Sequence, residues 1–102
     1  MLGHERTGLL QSILNESRAS IIIKLLSGDK NIADLEKVLK LNRSTICYHL
    51  NILESVGILM SKYVILNMPH SMGRAGRVYS VNRDKLNEAI EAIEDFKKKI
   101  SV

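Results

Sequence analysis

With 102 residues the chain is long enough for one hydrophobic core, so we expect a single domain over residues 1–102. Its 45% of hydrophobic and 25% of charged residues exclude a largely disordered chain. The sequence lacks a secretory signal and any apolar run near the roughly 18 residues of a membrane span, and one cysteine excludes an intrachain disulfide. We therefore expect a cytoplasmic protein with no membrane partner.

The positive charge is concentrated in the middle of the sequence. The formal net charge is +4, yet residues 1–39 and residues 81–102 each hold five basic and five acidic side chains. Between residues 40 and 80, one acidic residue, Glu54, stands against five basic ones: Lys40, Arg43, Lys62, Arg74 and Arg77. A local basic excess suits a phosphate-binding surface. Five scattered charges are also compatible with an ordinary solvated face.

Two helices are predicted in the N-terminal third. The first covers about residues 5–15, because apolar residues recur there at helical spacing. Ser17 is predicted to cap the second, which carries the apolar residues between Ile21 and Leu26. By periodicity alone this run is equally compatible with a buried strand, but the cap and the terminal Ser27-Gly28-Asp29 favour a helix.

Two further helices follow, separated by a tight turn. Asn31 is predicted to cap a helix that ends near Lys40 and carries an apolar stripe: Ile32, Leu35, Val38 and Leu39. After a short link, Asn42 is predicted to cap the next helix, which Val56-Gly57 closes. The second of these helices carries its apolar stripe at i, i+4 and i+7: Ile46, Leu50 and Leu53.

The remainder is predicted to be a β-hairpin and a long helix. Residues 58–66 and 77–81 have strand character, and residues 67–76 between them are rich in loop formers. Residues 83–100 carry a nearly continuous apolar stripe at helical spacing. The fold class is therefore mainly α with a small β-hairpin, in the order α-α-α-α-β-β-α. Two helices joined by a tight turn and followed by a hairpin form a winged helix-turn-helix.

The helix after the turn is the element that enters the major groove of DNA in this fold. If its apolar stripe faces the core, the opposite face or its flanks carry Arg43, Ser44, Thr45, Cys47, Tyr48 and Asn51. Arginine pairs with guanine, asparagine with adenine, and hydroxyl groups bind phosphates. In the hairpin, Arg74 and Arg77 lie among glycines that suit contact with a minor groove or its phosphates, and Lys62 adds a further cation.

This sequence resembles the ArsR family of winged-helix repressors. The resemblance rests on residues 41–50, Leu53, residues 57–59 and residues 76–81, and extends loosely over residues 18–26 and 32–41. It implies binding of double-stranded DNA, a DNA contact for His49, and a dimer. The family's metal sensors have a Cys-x-Cys pair before the turn, or His and Asp ligands on the last helix. Residues 32–40 lack Cys and His, and residues 82–102 lack His. We therefore expect no metal and no other cofactor.

Two side chains on the fourth helix have competing interpretations. Cys47 is either a small filler, the commoner role of cysteine, or a redox or metal switch. Chelation by Cys47 and His49 together is poor geometry, because positions i and i+2 point to different faces of a helix. His49 either touches DNA or packs at the helix edge. Lys40 stands where the ArsR family often has glycine, which affects only the geometry of the turn.

The outermost helices carry more apolar surface than one small core can cover. This excess favours a homodimer joined through both helices. The residues predicted to form the interface are Leu9, Leu10, Ile13, Leu14, Leu86, Ile90, Ile93, Phe96 and Ile100.

The function expected from the sequence is sequence-specific binding of double-stranded DNA by a transcriptional regulator, most simply a repressor. The alternative is a winged-helix module that binds another protein, against which the local basic excess argues. We expect no enzyme activity, because the sequence has no paired-carboxylate, nucleophile-base or metal constellation.

Overall fold

Helices dominate the computed structural model, which describes residues 4–65 and 75–101. In chain order the elements are α1 (His4–Ile13), α2 (Glu16–Leu26), β1 (Lys30–Asn31), α3 (Ile32–Leu39), α4 (Arg43–Ser55), β2 (Leu59–Ile65), β3 (Ala75–Val81) and α5 (Arg83–Ile100). The predicted fold class, mainly α with a winged helix-turn-helix, is confirmed. In the described part of the chain, no helix is both long and apolar enough to cross a membrane.

Asparagine side chains cap four of the helices. Those of Asn15, Asn31, Asn42 and Asn82 each accept a hydrogen bond from the backbone N–H three residues later, as an N-cap does. At α3 the Asp34 carboxylate also accepts from the Asn31 N–H, which completes a capping box. The predicted cap at Ser17 is wrong. Asn15 has the extended backbone that a cap requires, and Ser17 already lies inside α2.

The sheet has a third strand that the sequence analysis missed. The predicted order of elements is therefore corrected: a short strand, β1, lies between α2 and α3. β1 pairs antiparallel with β3, with Lys30 opposite Tyr79 and Asn31 opposite Val78. On its other edge β3 pairs antiparallel with β2, from Leu59 opposite Val81 to Ile65 opposite Ala75. The strand order is therefore β1-β3-β2, with β1 attached only near the base of the wing.

The hydrophobic core lies between the helix-turn-helix and the base of the sheet. Its fully buried side chains include Ile21 of α2, Leu35 of α3 and Ile58 just before β2. The predicted stripe of α4 is confirmed, since Ile46, Leu50 and Leu53 are all completely buried. One expectation is corrected, since Val38 of the predicted α3 stripe is 47% exposed. In α2, Ile23 is exposed as well.

The turn between α3 and α4 depends on a left-handed residue. Lys40 has φ 55° and ψ 36°, and its N–H donates to the Glu36 carbonyl at 2.9 Å. Among the non-glycine residues that the structure describes, Lys40 alone has a positive φ. A side chain in this conformation costs about 1–2 kcal/mol, which the rest of the turn must offset.

Replacing Lys40 by glycine should therefore stabilise the protein. We expect Lys40→Gly to raise the free energy of unfolding by about 0.5–1 kcal/mol, measured by urea denaturation, since the steric relief exceeds the added chain entropy of glycine. Lys37→Gly, inside α3, is the control and should lower stability by about 1 kcal/mol. Equal destabilisation by the two substitutions would contradict this interpretation of the turn.

Candidate nucleic-acid interface

The fourth helix has one face in the core and one face in solvent. Its buried stripe turns Arg43, Ser44 and Asn51 outward, and Tyr48 is 61% exposed. Thr45 and Cys47 are half-buried on the flanks of this face. The prediction that the polar residues of α4 face away from the core is therefore confirmed for these side chains. They form a surface that we call the α4 face: Arg43, Ser44, Thr45, Cys47, Tyr48 and Asn51.

The start of α4 is suited to anions. Asn42 caps the helix by accepting from the Thr45 N–H, and the Ser44 hydroxyl donates to the same Asn42 oxygen at 2.9 Å. The first turn contains no acidic side chain, in contrast to α2, α3 and α5. No acidic side chain of the first turn therefore offsets the partial positive charge at this helix end, where Arg43 is the first residue.

The wing supplies a second solvent-facing cation. Lys62, in the middle of β2, is exposed and lies opposite Val78 of β3. Arg74 and most of the predicted loop at the wing tip lie outside the described residues. In the described part of the wing, Lys62 is therefore a cation that faces solvent.

Arg77, predicted to bind phosphate, is engaged within the chain. Its Nη2 donates to both carboxylate oxygens of Glu54, at 2.9 and 2.8 Å. Its Nε donates to the Ser61 hydroxyl at 2.8 Å, and that hydroxyl donates to Glu54 at 2.6 Å. The structure therefore does not bring the Arg77 guanidinium together with Arg43 and Lys62 as a solvent-facing set.

His49 packs at the edge of α4, the second of its two predicted roles. It is 8% exposed, and its Nδ1 accepts a hydrogen bond from Nη1 of Arg18 at 3.2 Å. Its ring meets Tyr48 edge to face, with centroids 5.1 Å apart. A buried ring with this partner contributes to the position of α4 and is not on the exposed α4 face.

Arg18 is a structural residue that the sequence analysis missed. From α2 it donates to the backbone carbonyls of Ser12 and Gln11 at the end of α1 as well as to His49. One guanidinium thus joins α1, α2 and α4. Helical periodicity does not reveal such a contact, because a polar residue at the edge of a stripe looks like an ordinary surface residue.

The predicted dimer residues divide between core and surface. Leu9 is 2% exposed and belongs to the chain's own core, so its placement at an interface is corrected: α1 buries this side against its own chain. Ile13 and Leu86 pack partly against that core, and Leu10 and Ile93 are half-buried. The side chains that stay largely exposed are Leu14, Ile90, Phe96 and Ile100.

Comparison with known proteins shows what this arrangement resembles. Residues 15–61, from the cap of α2 into β2, match the family model described as bacterial regulatory protein, ArsR family. This part of the chain is therefore similar to the ArsR family, and the fold is a winged helix-turn-helix. Regulatory proteins of this kind are generally not enzymes. None of the curated protein sequences is significantly similar to the chain.

Solved structures share this winged helix-turn-helix fold. A possible transcriptional regulator for arsenical resistance superposes with TM-score 0.70 and 19% identity, over 87% of this chain and 83% of that one. An ArsR-like transcriptional regulator from Rhodococcus sp. RHA1 superposes with TM-score 0.69 and 21% identity, over 95% of this chain and 83% of that one. A transcriptional regulator homologue from Pyrococcus horikoshii OT3 superposes with TM-score 0.66 and 22% identity, over 97% of this chain and 96% of that one.

The described residues contain no cluster of three or more His, Cys, Asp or Glu side chains that could hold a metal ion. Cys47 is a half-buried free thiol on the flank of α4. Burial and the nearby Arg18 charge together lower the pKa of His49 from its ordinary value. The folded protein therefore favours the neutral imidazole, which is the form that accepts the Arg18 hydrogen bond.

The lowered pKa of His49 predicts a loss of stability in mild acid. As the pH falls below about 6.5, the unfolded chain protonates this histidine before the folded chain does, so protons favour unfolding. We expect urea denaturation to show lower stability at about pH 5.5 than at about pH 7.5. His49→Gln, which keeps an acceptor without titrating, should reduce the difference. An unchanged pH dependence in this variant would assign the effect to other groups.

Proposed function

We propose that this ArsR-like protein binds double-stranded DNA sequence-specifically as a homodimer and represses transcription. The observation that carries the proposal is the solvent-facing α4 face, which presents Arg43, Tyr48 and Asn51 beside an anion-attracting helix end. Arginine and asparagine read guanine and adenine by paired hydrogen bonds, so this face suits a major groove. Tyr48 supplies an exposed ring whose hydroxyl can bond a base or a phosphate.

Phosphate attachment is assigned to cations around this face. Lys40 at the turn and Lys62 on the wing are both exposed, and Arg74 retains its predicted role near the wing tip. Such contacts fix the register of a protein on DNA and release counterions, so they make binding salt-dependent without reading sequence.

Binding without a metal or other cofactor is part of the proposal. The sequence departs from the metal sensors of the ArsR family at both of their ligand positions, since residues 32–40 contain no Cys or His and residues 82–102 contain no His. DNA affinity should therefore be unchanged by a chelator. Two results would overturn the proposal that no metal is needed: metal retained in stoichiometric amount after chelator treatment, or DNA affinity that falls when chelator is added.

The homodimer is supported by exposed apolar side chains on the outer helices. Leu14 is 62% exposed, and Ile90, Phe96 and Ile100 of α5 are 41%, 49% and 66% exposed. Ile90 and Phe96 lie on either side of Ile93 along one side of α5, where a second copy can cover them. A two-fold dimer would place two α4 faces in successive major grooves of a palindromic site, about 10–10.5 bp apart, and would obstruct a promoter.

The roles of Arg43 and Lys62 can be separated by their effects on specificity. On the best site selected from a random DNA pool, Arg43→Ala should cost about 1–3 kcal/mol and relax base preference. Lys62→Ala should weaken all duplexes alike and lower the salt slope by about one, measured by titration at several salt concentrations. Lys98→Ala, on exposed α5, is the charge control.

Equal losses on specific and random DNA for both variants would contradict the division of roles between Arg43 and Lys62. Absence of duplex binding by the wild-type protein at low salt would overturn the proposed function itself. A surface that binds another protein would then be the better interpretation of the same fold.

The dimer can be tested by placing a charge on its proposed interface. Phe96→Glu should convert a species of twice the chain mass into a monomer, because a carboxylate cannot be buried in an apolar interface without a partner. Sedimentation equilibrium at micromolar concentration reports the mass. Val38→Glu, at an exposed apolar position on α3, is the matched control and should leave the mass unchanged. A wild-type monomer would contradict the proposal.

A further inference from the structure

Three side chains from three elements meet where the wing joins the fourth helix. Glu54 lies in the last turns of α4, Ser61 in β2 and Arg77 in β3. Arg77 reaches both oxygens of Glu54, and Ser61 bridges the two by accepting from Arg77 Nε and donating to Glu54. We call this triangle of hydrogen bonds the wing clamp: Glu54, Ser61 and Arg77.

The wing clamp sits at the point where the sheet loses its third strand. β1 pairs only with Val78 and Tyr79, so Arg77 is the first residue of β3, moving towards the tip, that lacks a β1 partner. Beyond it, β3 pairs with β2 alone. A two-stranded ribbon is marginally stable and free to twist, so its direction must be set where it leaves the body of the protein.

Aromatic rings hold the guanidinium in place at this junction. The Arg77 carbon Cζ lies 5.3 Å from the ring centroid of Tyr79 and 6.0 Å from that of Tyr63, which is opposite Arg77 in the register. Tyr79 is 2% exposed and part of the core, whereas Tyr63 is 74% exposed on the wing. Arg77 thus spans the boundary between the packed base and the free end of the ribbon.

The ion pair of Glu54 and Arg77 is partly buried, so the attraction between its charges is stronger than in a fully exposed pair. The side chains of Glu54 and Arg77 are 25% and 37% exposed, so water screens them only in part. Because the guanidinium donates from two different nitrogens to two different partners, it fixes an orientation as well as a distance. A lysine at this position would keep the charge but not that geometry.

We propose that Arg77 is a positioning residue of the DNA-binding surface: clamped by Glu54 and Ser61, it sets the direction of the wing relative to α4 and does not itself bind phosphate. This inference rests on the proposed function, since it explains how α4 and the wing reach one duplex together. It reverses the role that the sequence suggests for Arg77 and leaves phosphate attachment by the wing to Lys62 and Arg74.

Removal of the Glu54 charge distinguishes the two roles by the sign of its effect. If Arg77 is a clamp, Glu54→Gln should weaken binding to the selected site by about five- to tenfold, because charged hydrogen bonds are lost, and lower the salt slope as wing phosphates are released. If Arg77 binds phosphate, the same change frees it and should tighten binding and steepen the slope. Glu91→Gln, on the exposed side of α5, is the matched control for the charge.

Arg77→Lys provides a second, independent comparison. A phosphate-binding role tolerates lysine, whereas the wing clamp requires the forked guanidinium. We expect Arg77→Lys to lose affinity like Glu54→Gln, and near wild-type affinity would overturn the proposal.

Amide hydrogen exchange of the wing strands tests the wing clamp without DNA. In the clamp variants the amides of residues 61–65 and 75–77 should exchange faster, while those of α2 and α4 and the unfolding midpoint stay close to wild type. The Glu91→Gln control should show no change. Unchanged exchange in both clamp variants would overturn the proposal even if the protein binds DNA. Faster exchange in a protein that binds no DNA would instead refute the proposed function and leave the clamp intact.

Discussion

Burial of the stripe formed by Ile46, Leu50 and Leu53 is the constraint on which the rest of the structure depends. Each of these side chains is completely buried and contributes roughly 1.5–3 kcal/mol through removal from water. Because they occupy one side of a single helix, their burial fixes the rotation of α4 about its axis. That rotation decides that Arg43, Tyr48 and Asn51 face solvent. A core interaction thus determines the chemistry of the surface.

Burial of the stripe fixes the rotation of α4 but not its position along its axis. Two polar contacts fix that position. Near its middle, His49 accepts from Arg18, which also binds the carbonyl groups at the end of α1. Near its C-terminus, Glu54 binds Arg77 of the wing. Any shift of α1 against α2 must change the partners of Arg18 and therefore the contact with His49. The outer helix α1 and the helix α4 are in this way mechanically connected.

Local chemistry explains which features the sequence predicts well. The stripe of α4, the caps at Asn31 and Asn42 and the extent of α5 follow from residue spacing and helix-end chemistry, and the structure confirms them. The cap at Asn15 was missed because Ser17 offers the same chemistry two residues later. β1 was missed because two residues show no periodicity, and its ladder exists only once Val78 and Tyr79 are in place.

The features that the sequence could not reveal are contacts between distant residues. Arg18 and His49 lie in different helices, and Glu54 and Arg77 lie on opposite sides of the predicted wing loop. A charge count treats Arg77 as free and Glu54 as a lone acid in a basic region, although each is the other's partner. The middle segment does have a basic excess. Which of its cations are available at the surface depends on which of them form ion pairs within the chain. In Arg77 the fold itself uses the cation, because the guanidinium is paired with Glu54.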